Sequence, residues 1–411
     1  MFVDDKNYED MQSTFFDFDN DGDKDLFVVS GGNEFAEHSS LYVDRLYLNN
    51  GKANFKRADI DALNSNPKSG KSVDTFDFDK DGDLDILVGN RIIPQNYPQF
   101  APSTLWENRN GQLYDVTEVK APELSKFGMV NQLVATDFNS DGWTDFVAVG
   151  EWSSIGFFIN KNGSFTQLQN QELIGNKGWW FTIQETDINN DGQPDYLVGN
   201  TGLNIKFKAS EKKPFKVFAN DFDDNGTPDI VLSKQYNGEY VPARGRECSS
   251  QQMPFIQQKF ETYSEFANAK LVDIYGEKLN SGYEGEVTEF RSIVLVNKGQ
   301  GVFEKKYLPI EAQLFPTLKA VFRDLNGDGF EDAVVAGNIY ETEVETPRLD
   351  AFSGVVLLSN GEDGYYTLPQ VKSGLLLDGN IKDLDWVESG KKSLLIASQN
   401  DGSLILHGQI K

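Results

Sequence analysis

Apolar residues come in short bursts along this chain. LFVVSGG (26–32), ILVGN (86–90), FVAVGEW (146–152), YLVGN (196–200), IVLS (230–233) and AVVAGN (333–338) are rich in β-branched residues, too short for helices, and mostly closed by glycine, which predicts strands. A second set of alternating runs lies at 45–58, 104–116, 156–168 and 355–368, where N-G and N-x-N-G elements between the apolar positions predict hairpins. With one strand ahead of each run in the first set, the pattern gives about four antiparallel strands per repeat.

Each run in the first set follows the same polar nonapeptide, D-x-[D/N]-x-[D/N]-G-x-x-D. Its copies begin at Asp17, Asp77, Asp137, Asp187, Asp221 and Asp324. The spacing suits a hard divalent cation, because Ca²⁺ takes six to eight oxygens in a flexible shell. Positions 1, 3, 5 and 9 supply side-chain oxygens and position 7 a backbone carbonyl. The ligands are Asp17, Asp19, Asp21, Asp23 and Asp25 in the first loop, and Asp77, Asp79, Asp81, Asp83 and Asp85 in the second. The third has Asp137, Asn139, Asp141, Trp143 and Asp145; the fourth has Asp187, Asn189, Asp191, Gln193 and Asp195. The fifth has Asp221, Asp223, Asn225, Thr227 and Asp229; the sixth has Asp324, Asn326, Asp328, Phe330 and Asp332. The glycine at position 6 permits the sharp turn. Turn chemistry alone does not demand Asp at position 9. The Glu that closes an EF-hand loop at position 12 is replaced by apolar residues such as Val28, Val88 and Ala148. About six structural Ca²⁺ ions are the expected cofactor.

Successive loops start 60, 60, 50, 34 and 103 residues apart, a variation that fits propeller blades of unequal loop length. A seventh, decayed copy starts at Asp383, where Asp383 and Asp385 survive but the Gly and the last Asp do not, and it is expected to fold as a blade without metal. The expected fold is all-β: one seven-bladed β-propeller over 1–411, with a helical insertion at 244–285 between blades 5 and 6. The 34-residue fourth interval is short for four strands, so six or eight blades are alternatives. The last repeat stops one strand short, and MFVDD at the amino terminus resembles the strand that would complete it.

A net charge of −26 argues against nucleic acid or an anionic membrane as partner, and six Ca²⁺ would reduce it to −14. With the single cysteine, Cys248, no intrachain disulfide can form. Calcium sites lacking the position-12 Glu suit millimolar calcium, which places the chain outside the cell, on its surface or in the periplasm. The segment FVDDKNYED is polar and acidic and no apolar run approaches a membrane span. The chain is therefore expected to be a mature domain or a fragment whose targeting segment lay upstream, standing alone or as one module of a larger surface protein, with no direct insertion into a membrane.

Through these loops, nearly the whole chain resembles the FG-GAP/VCBS repeat family, whose propellers include the integrin α-subunit head. The segment 244–271 also resembles an insertion in large bacterial surface proteins with ASPIC/UnbV domains. The resemblance implies that the metal loops stiffen the blades on one face while partners bind the other.

On that other face Gly-Asn or Gly-Glu recurs, which makes Asn33, Glu34, Asn90, Arg91, Glu151, Trp152, Asn200 and Asn338 candidate ligand-binding residues for a glycan or an extracellular protein. For the asparagines, strand termination is an equal alternative; Arg91, Glu151 and Trp152 exceed what a turn requires. In the insertion, Phe255, Ile256, Phe260, Tyr263 and Phe266 recur at helical spacing and predict one helix over Ser249–Asn268. One of Trp179 and Trp180 is expected to pack between blades. No catalytic residue is assigned. His38 and His407 sit in no motif, although Glu34, Glu151 and the acidic loop 341–350 supply carboxylates for the alternative, a calcium-dependent polysaccharide lyase or glycosidase. The expected function is non-catalytic recognition or adhesion.

Overall fold

The computed structural model describes residues 3–169, 173, 175–343, 345–389 and 392–408. Among them lie seven antiparallel sheets. Sheet 1 comprises β1 (Asp10–Phe16), β2 (Asp25–Ser30), β3 (Arg45–Leu48) and β4 (Lys56–Arg57). Sheet 2 comprises β5 (Ser69–Phe76), β6 (Asp85–Ile92), β7 (Thr104–Arg109) and β8 (Gln112–Asp115). Sheet 3 comprises β9 (Met129–Thr136), β10 (Asp145–Ser153), β11 (Gly156–Asn160) and β12 (Phe165–Gln167), with β13 (Gly178–Trp179) added to the far end of β10. In each, an Asp-rich loop joins the first strand to the second, and the hairpin turns fall where the N-G pairs predicted them. Asn110 and Gly111, for instance, both take left-handed φ values (51° and 81°) between β7 and β8.

Sheet 4 departs from the sequence pattern. Its first two strands are β14 (Thr182–Thr186) and β15 (Asp195–Gly199), but β15 pairs with β20 (Ile293–Asn297), next to β21 (Phe303–Tyr307). The intervening residues build a separate sheet from β16 (Phe215–Asn220), β17 (Asp229–Tyr236), β18 (Glu239–Pro242) and β19 (Tyr283–Val287). The insertion thus lies within the fourth sheet and carries the fifth Asp-rich loop, rather than lying between a fifth and a sixth blade. The 34-residue interval is short because the fourth repeat is interrupted after two strands. Sheet 5, β22 (Lys319–Arg323), β23 (Asp332–Ala336), β24 (Val355–Ser359) and β25 (Tyr365–Leu368), and the three-stranded sheet 6, β26 (Ile381–Ser389), β27 (Lys392–Gln399) and β28 (Ile405–His407), follow. Asp383 and Asp385 lie inside β26, not in a loop.

Strand alternation packs these sheets face to face in a propeller-like succession. Ile86 and Val88 join Phe27, Val29 and Leu46 between sheets 1 and 2, while Leu87 turns the other way to meet Leu133, Phe146 and Phe158 of sheet 3. Further cores join sheet 3 to 4 around Trp180, 4 to 5 around Leu197 and Val335, and 5 to 6 around Leu358 and Leu395. Burying each large apolar side chain contributes roughly 1.5–3 kcal/mol, so the inter-sheet cores are the main store of stability.

Among the described residues the amino terminus adds no strand to the last sheet. Met1 and Phe2 of MFVDD lie outside the described residues, residues 3–7 form turns, and β1 pairs only with β2. Asp5 holds this segment against sheet 1, accepting from Tyr47 Oη (2.7 Å) and Arg57 Nη1 (2.6 Å), while Arg45 and Arg57 stack on the Tyr8 ring.

In the insertion, the expected single helix is broken into Arg246–Gln252, Phe255–Lys259, Tyr263–Asn268 and Leu271–Tyr275. Pro254 stops the first, and the Thr262 capping box starts the third. Ile256, Phe266 and Ile274 still reach one core, packing on Phe218 and Val231 of the inserted sheet. Among the described residues no helix is long and apolar enough to cross a membrane.

Candidate metal loops and the opposite face

The Asp-rich loops are wound by their own side chains. The position-1 carboxylate accepts the amide of the position-6 glycine in all six, at 2.8–3.1 Å. The position-5 side chain accepts the position-7 amide at 2.8–3.0 Å. Position 4 adopts a left-handed φ in each, from Ser140 (58°) to Gly327 (80°), a turn requirement that Asn, Lys, Ser and Asp at this position did not advertise.

Position 9 has a double role. Each of these aspartates is buried. In sheet 2, Asp85 accepts the amide of Phe78 in its own loop (3.0 Å) and that of Asn108 on the third strand (2.8 Å), so one carboxylate joins loop to sheet. Asp25, Asp195 and Asp332 repeat this with Asn49, Asn297 and Ser359. That demand explains the Asp where a turn alone needs none. The inserted loop differs, because Asp229 meets Phe222 and the Gln252 side chain.

The third-strand residue also reaches the preceding sheet. Asn108 Nδ2 donates to Phe18 O, Asn160 Nδ2 to Phe78 O and Asn297 Nδ2 to Phe138 O, at 2.8–2.9 Å, and Ser359 Oγ donates to Ile188 O at 2.8 Å. The loops also touch directly: Asn20 donates to Asp83 (2.6 Å), and Lys80 lies 4.1 Å from the Trp143 ring centre.

The donor set fits a hard cation. Carboxylate oxygens of Asp17, Asp19 and Asp25, of Asp77, Asp79 and Asp85, and of Asp221, Asp223 and Asp229 lie within 4.8 Å of one another. Asp17 Oδ1, Asp79 Oδ1, Asp145 Oδ2 and Asp223 Oδ1 are buried without a hydrogen-bond partner. Burial, opposed by the backbone amides and reinforced by neighbouring carboxylates, pushes Asp85 up to about 8, Asp145 to about 7 and Asp195 to about 6. A divalent cation would satisfy such oxygens and relieve their repulsion. In the third, fourth and sixth loops, Asn139, Asn189 and Asn326 accept the position-5 amide through Oδ1.

On the opposite face, the candidate residues separate into two groups. Asn90 donates to Pro102 O (2.7 Å), Asn200 to Glu289 O (3.0 Å), and Asn338 to Phe352 O (3.2 Å) and Gly379 O (2.7 Å), so these amides fasten the ends of second strands to neighbouring loops. Asn33 and Glu34 meet the next sheet's loop through Gln95.

Arg91, Glu151 and Trp152 come together. Arg91 pairs with Glu151 (Nη2 to Oε1, 2.6 Å), Tyr97 Oη donates to Glu151 Oε2 (3.2 Å), and Trp152 Nε1 donates to Tyr97 Oη (2.7 Å). Trp152 is buried, stacked on Phe215 and edge-on to Trp179, in the core that seats the inserted sheet on sheets 2 and 3. Its indole therefore serves packing. Trp180 fills the core between sheets 3 and 4. Tyr97, which completes the network, lies in a Pro-rich loop with no repeat signal, and sequence reading missed it.

The FG-GAP-like repeat family matches residues 17–88 and 137–198, a match that does not extend to residues 244–271. No curated protein matches the chain. Among solved structures, the V. cholerae biofilm matrix protein Bap1 aligns over 97% of this chain and 77% of its own at 10% identity and TM-score 0.39. BBS1N, solved in complex with ARL6DN, aligns over 98% and 92% at 10% identity and TM-score 0.33. At these scores neither bears on ligand or partner.

Proposed function

From a chain that belongs to the FG-GAP repeat family, we propose a non-catalytic, calcium-stabilised recognition module that works outside the cell. Sheets 1 to 6 act as its blades and the inserted sheet as an appendage on the face away from the metal loops. The observation that carries this reading is the position-9 aspartate, whose buried carboxylate ties the loop of each of sheets 1 to 5 to its third strand, beside loop oxygens that lack a partner. Calcium there would brace the blade and leave the opposite face, with Arg91 and Glu151, to receive a glycan or an extracellular protein.

Two measurements test it. Melting in EDTA and in millimolar Ca²⁺ should give a lower and a restored transition; an unchanged melt would sink the metal reading. A glycan array run beside a reducing-sugar release assay should give binding without product, whereas release of product would replace recognition by hydrolysis or lyase chemistry.

A further inference from the structure

The innermost strands of four sheets share an irregularity. In β1, β5 and β9 the pairing register slips near the end away from the Asp-rich loop, and in β26 beside its first residue, skipping Met11, Lys71, Asn131 and Lys382; in sheet 2 a second slip skips Arg91 of β6. Such bulges re-aim a side chain. Two of the four have evident structural work, since Met11 packs in the core between sheets 1 and 2 and Asn131 donates to Trp180 O at 2.8 Å. The other two are lysines.

Lys382 Nζ donates to Asn338 O (3.1 Å) and lies 3.5 Å from Glu341 Oε2. Lys71 makes no hydrogen bond or ion pair to any described residue, although it is half-buried. Its charge is felt by Arg91 and Glu151, from sheets 2 and 3, and by Lys382, from sheet 6. The two register breaks between β5 and β6 set Arg91 and Lys71 on either side of the Gly70–Asn90 pair, and in this neighbourhood the cations Lys71, Arg91 and Lys382 outnumber the paired carboxylates Glu151 and Glu341. Burial first, then repulsion from Arg91 and Lys382, opposed by Glu151, pushes the Lys71 ammonium down to about 8.

We propose that Lys71, Lys382 and Arg91 form a binding site for a compact oxyanion, a carboxylate or sulfate group, where the inner strands end opposite the metal loops. The site rests on the reading that this face receives a ligand, and it specifies the chemistry: Arg91, already oriented by Glu151, offers a planar donor edge, and the two ammoniums offer charge without fixed geometry. Three residues along β5 the sign reverses. Asp74, half-buried and engaged by the amides of Thr75 and Ala135, would repel an anion from that part of the strand.

The test uses the whole chain in Ca²⁺ at constant ionic strength, titrated by calorimetry with trigalacturonate, with its neutral methyl ester, and with inorganic sulfate. Wild type should bind trigalacturonate or sulfate but not the ester; which of the two binds more tightly says whether the anion arrives on a saccharide or free. Lys71→Met should weaken binding at least tenfold, and Lys71→Arg should restore part of it. Lys71→Met should melt no lower than wild type, so that lost binding is not lost folding. Equal affinity in wild type and Lys71→Met, equal binding of the ester, or no binding of either anion overturns the site. A neutral glycan or a protein bound equally by wild type and Lys71→Met would overturn it while leaving the recognition reading intact.

Discussion

Asn297 Nδ2 lies 2.9 Å from Phe138 O, a hydrogen bond that spans 159 residues and joins the fourth sheet to the Asp-rich loop of the third. The same side chain donates to Pro194 O at 3.2 Å within its own sheet, and its backbone amide is held by Asp195. One residue therefore identifies β20 as the third strand of sheet 4 and places the inserted sheet outside the succession.

Asn297→Ala should leave two largely buried carbonyls without a donor. Each costs about 1–3 kcal/mol, so urea denaturation should show a loss of about 2–6 kcal/mol. Asn160→Ala, which frees Phe78 O and Thr144 O, should behave alike. Losses within the scatter of exposed substitutions would show that the sheets do not depend on these links.

Asp77→Ala should remove one cation without emptying the other loops, so the Ca²⁺ stoichiometry measured by calorimetry should fall by one. Asp77 also accepts the amides of Lys80, Asp81 and Gly82, and the variant should therefore be less stable even in EDTA, by about 1–2 kcal/mol. An unchanged stoichiometry would remove Asp77 from the ligand set.

The position-9 aspartates set a pH dependence for the cation-free protein. Asp85, Asp145 and Asp195 are raised to about 8, 7 and 6, against an unfolded value near 3.9, so the fold binds more protons than the unfolded chain between these limits. Their stabilising contribution is fully present below about pH 4 and is lost as pH rises toward 8. In EDTA, thermal melts should fall between pH 5.5 and pH 8. In Ca²⁺ the fall should shrink or reverse, because the cation must displace those protons. A Ca²⁺ effect equal at both values would mean that these carboxylates are not coupled to the metal.

Trp152→Ala should detach the inserted sheet from its seat. The indole is stacked on Phe215, meets Trp179 at 5.1 Å between ring centres and donates to Tyr97, and truncating a buried Trp costs about 3–5 kcal/mol. Its φ of 57° is unfavourable for so bulky a residue, a local cost that the surrounding packing offsets. Protease cleavage within 203–287 should quicken in the variant while the rest of the chain stays resistant. Equal cleavage rates would show that Trp152 does not carry the seat.

The loop chemistry was legible because it is local: nine consecutive residues contain the carboxylates, the turn glycine and the position-9 anchor. The alternation of Ile86, Leu87 and Val88 gave the two packing faces of a strand with equal directness, since side chains along a strand switch sides at every residue. The asparagines on the opposite face were harder to read. An amide that ends a strand and one that binds a ligand have the same sequence, and only the positions of Pro102 O and Glu289 O assign Asn90 and Asn200 to the first task.

The sequence by itself determined an all-β repeat with Asp-rich turns, because propensity, alternation and turn chemistry act between near neighbours. The tertiary structure alone decided that β15 would pair with β20 and pass over the inserted sheet, that Trp152 would pack while Arg91 found Glu151, and that the register would break at Lys71 and at Lys382. Those outcomes depend on contacts between segments far apart in the chain, where no local pattern records which partner lies nearest.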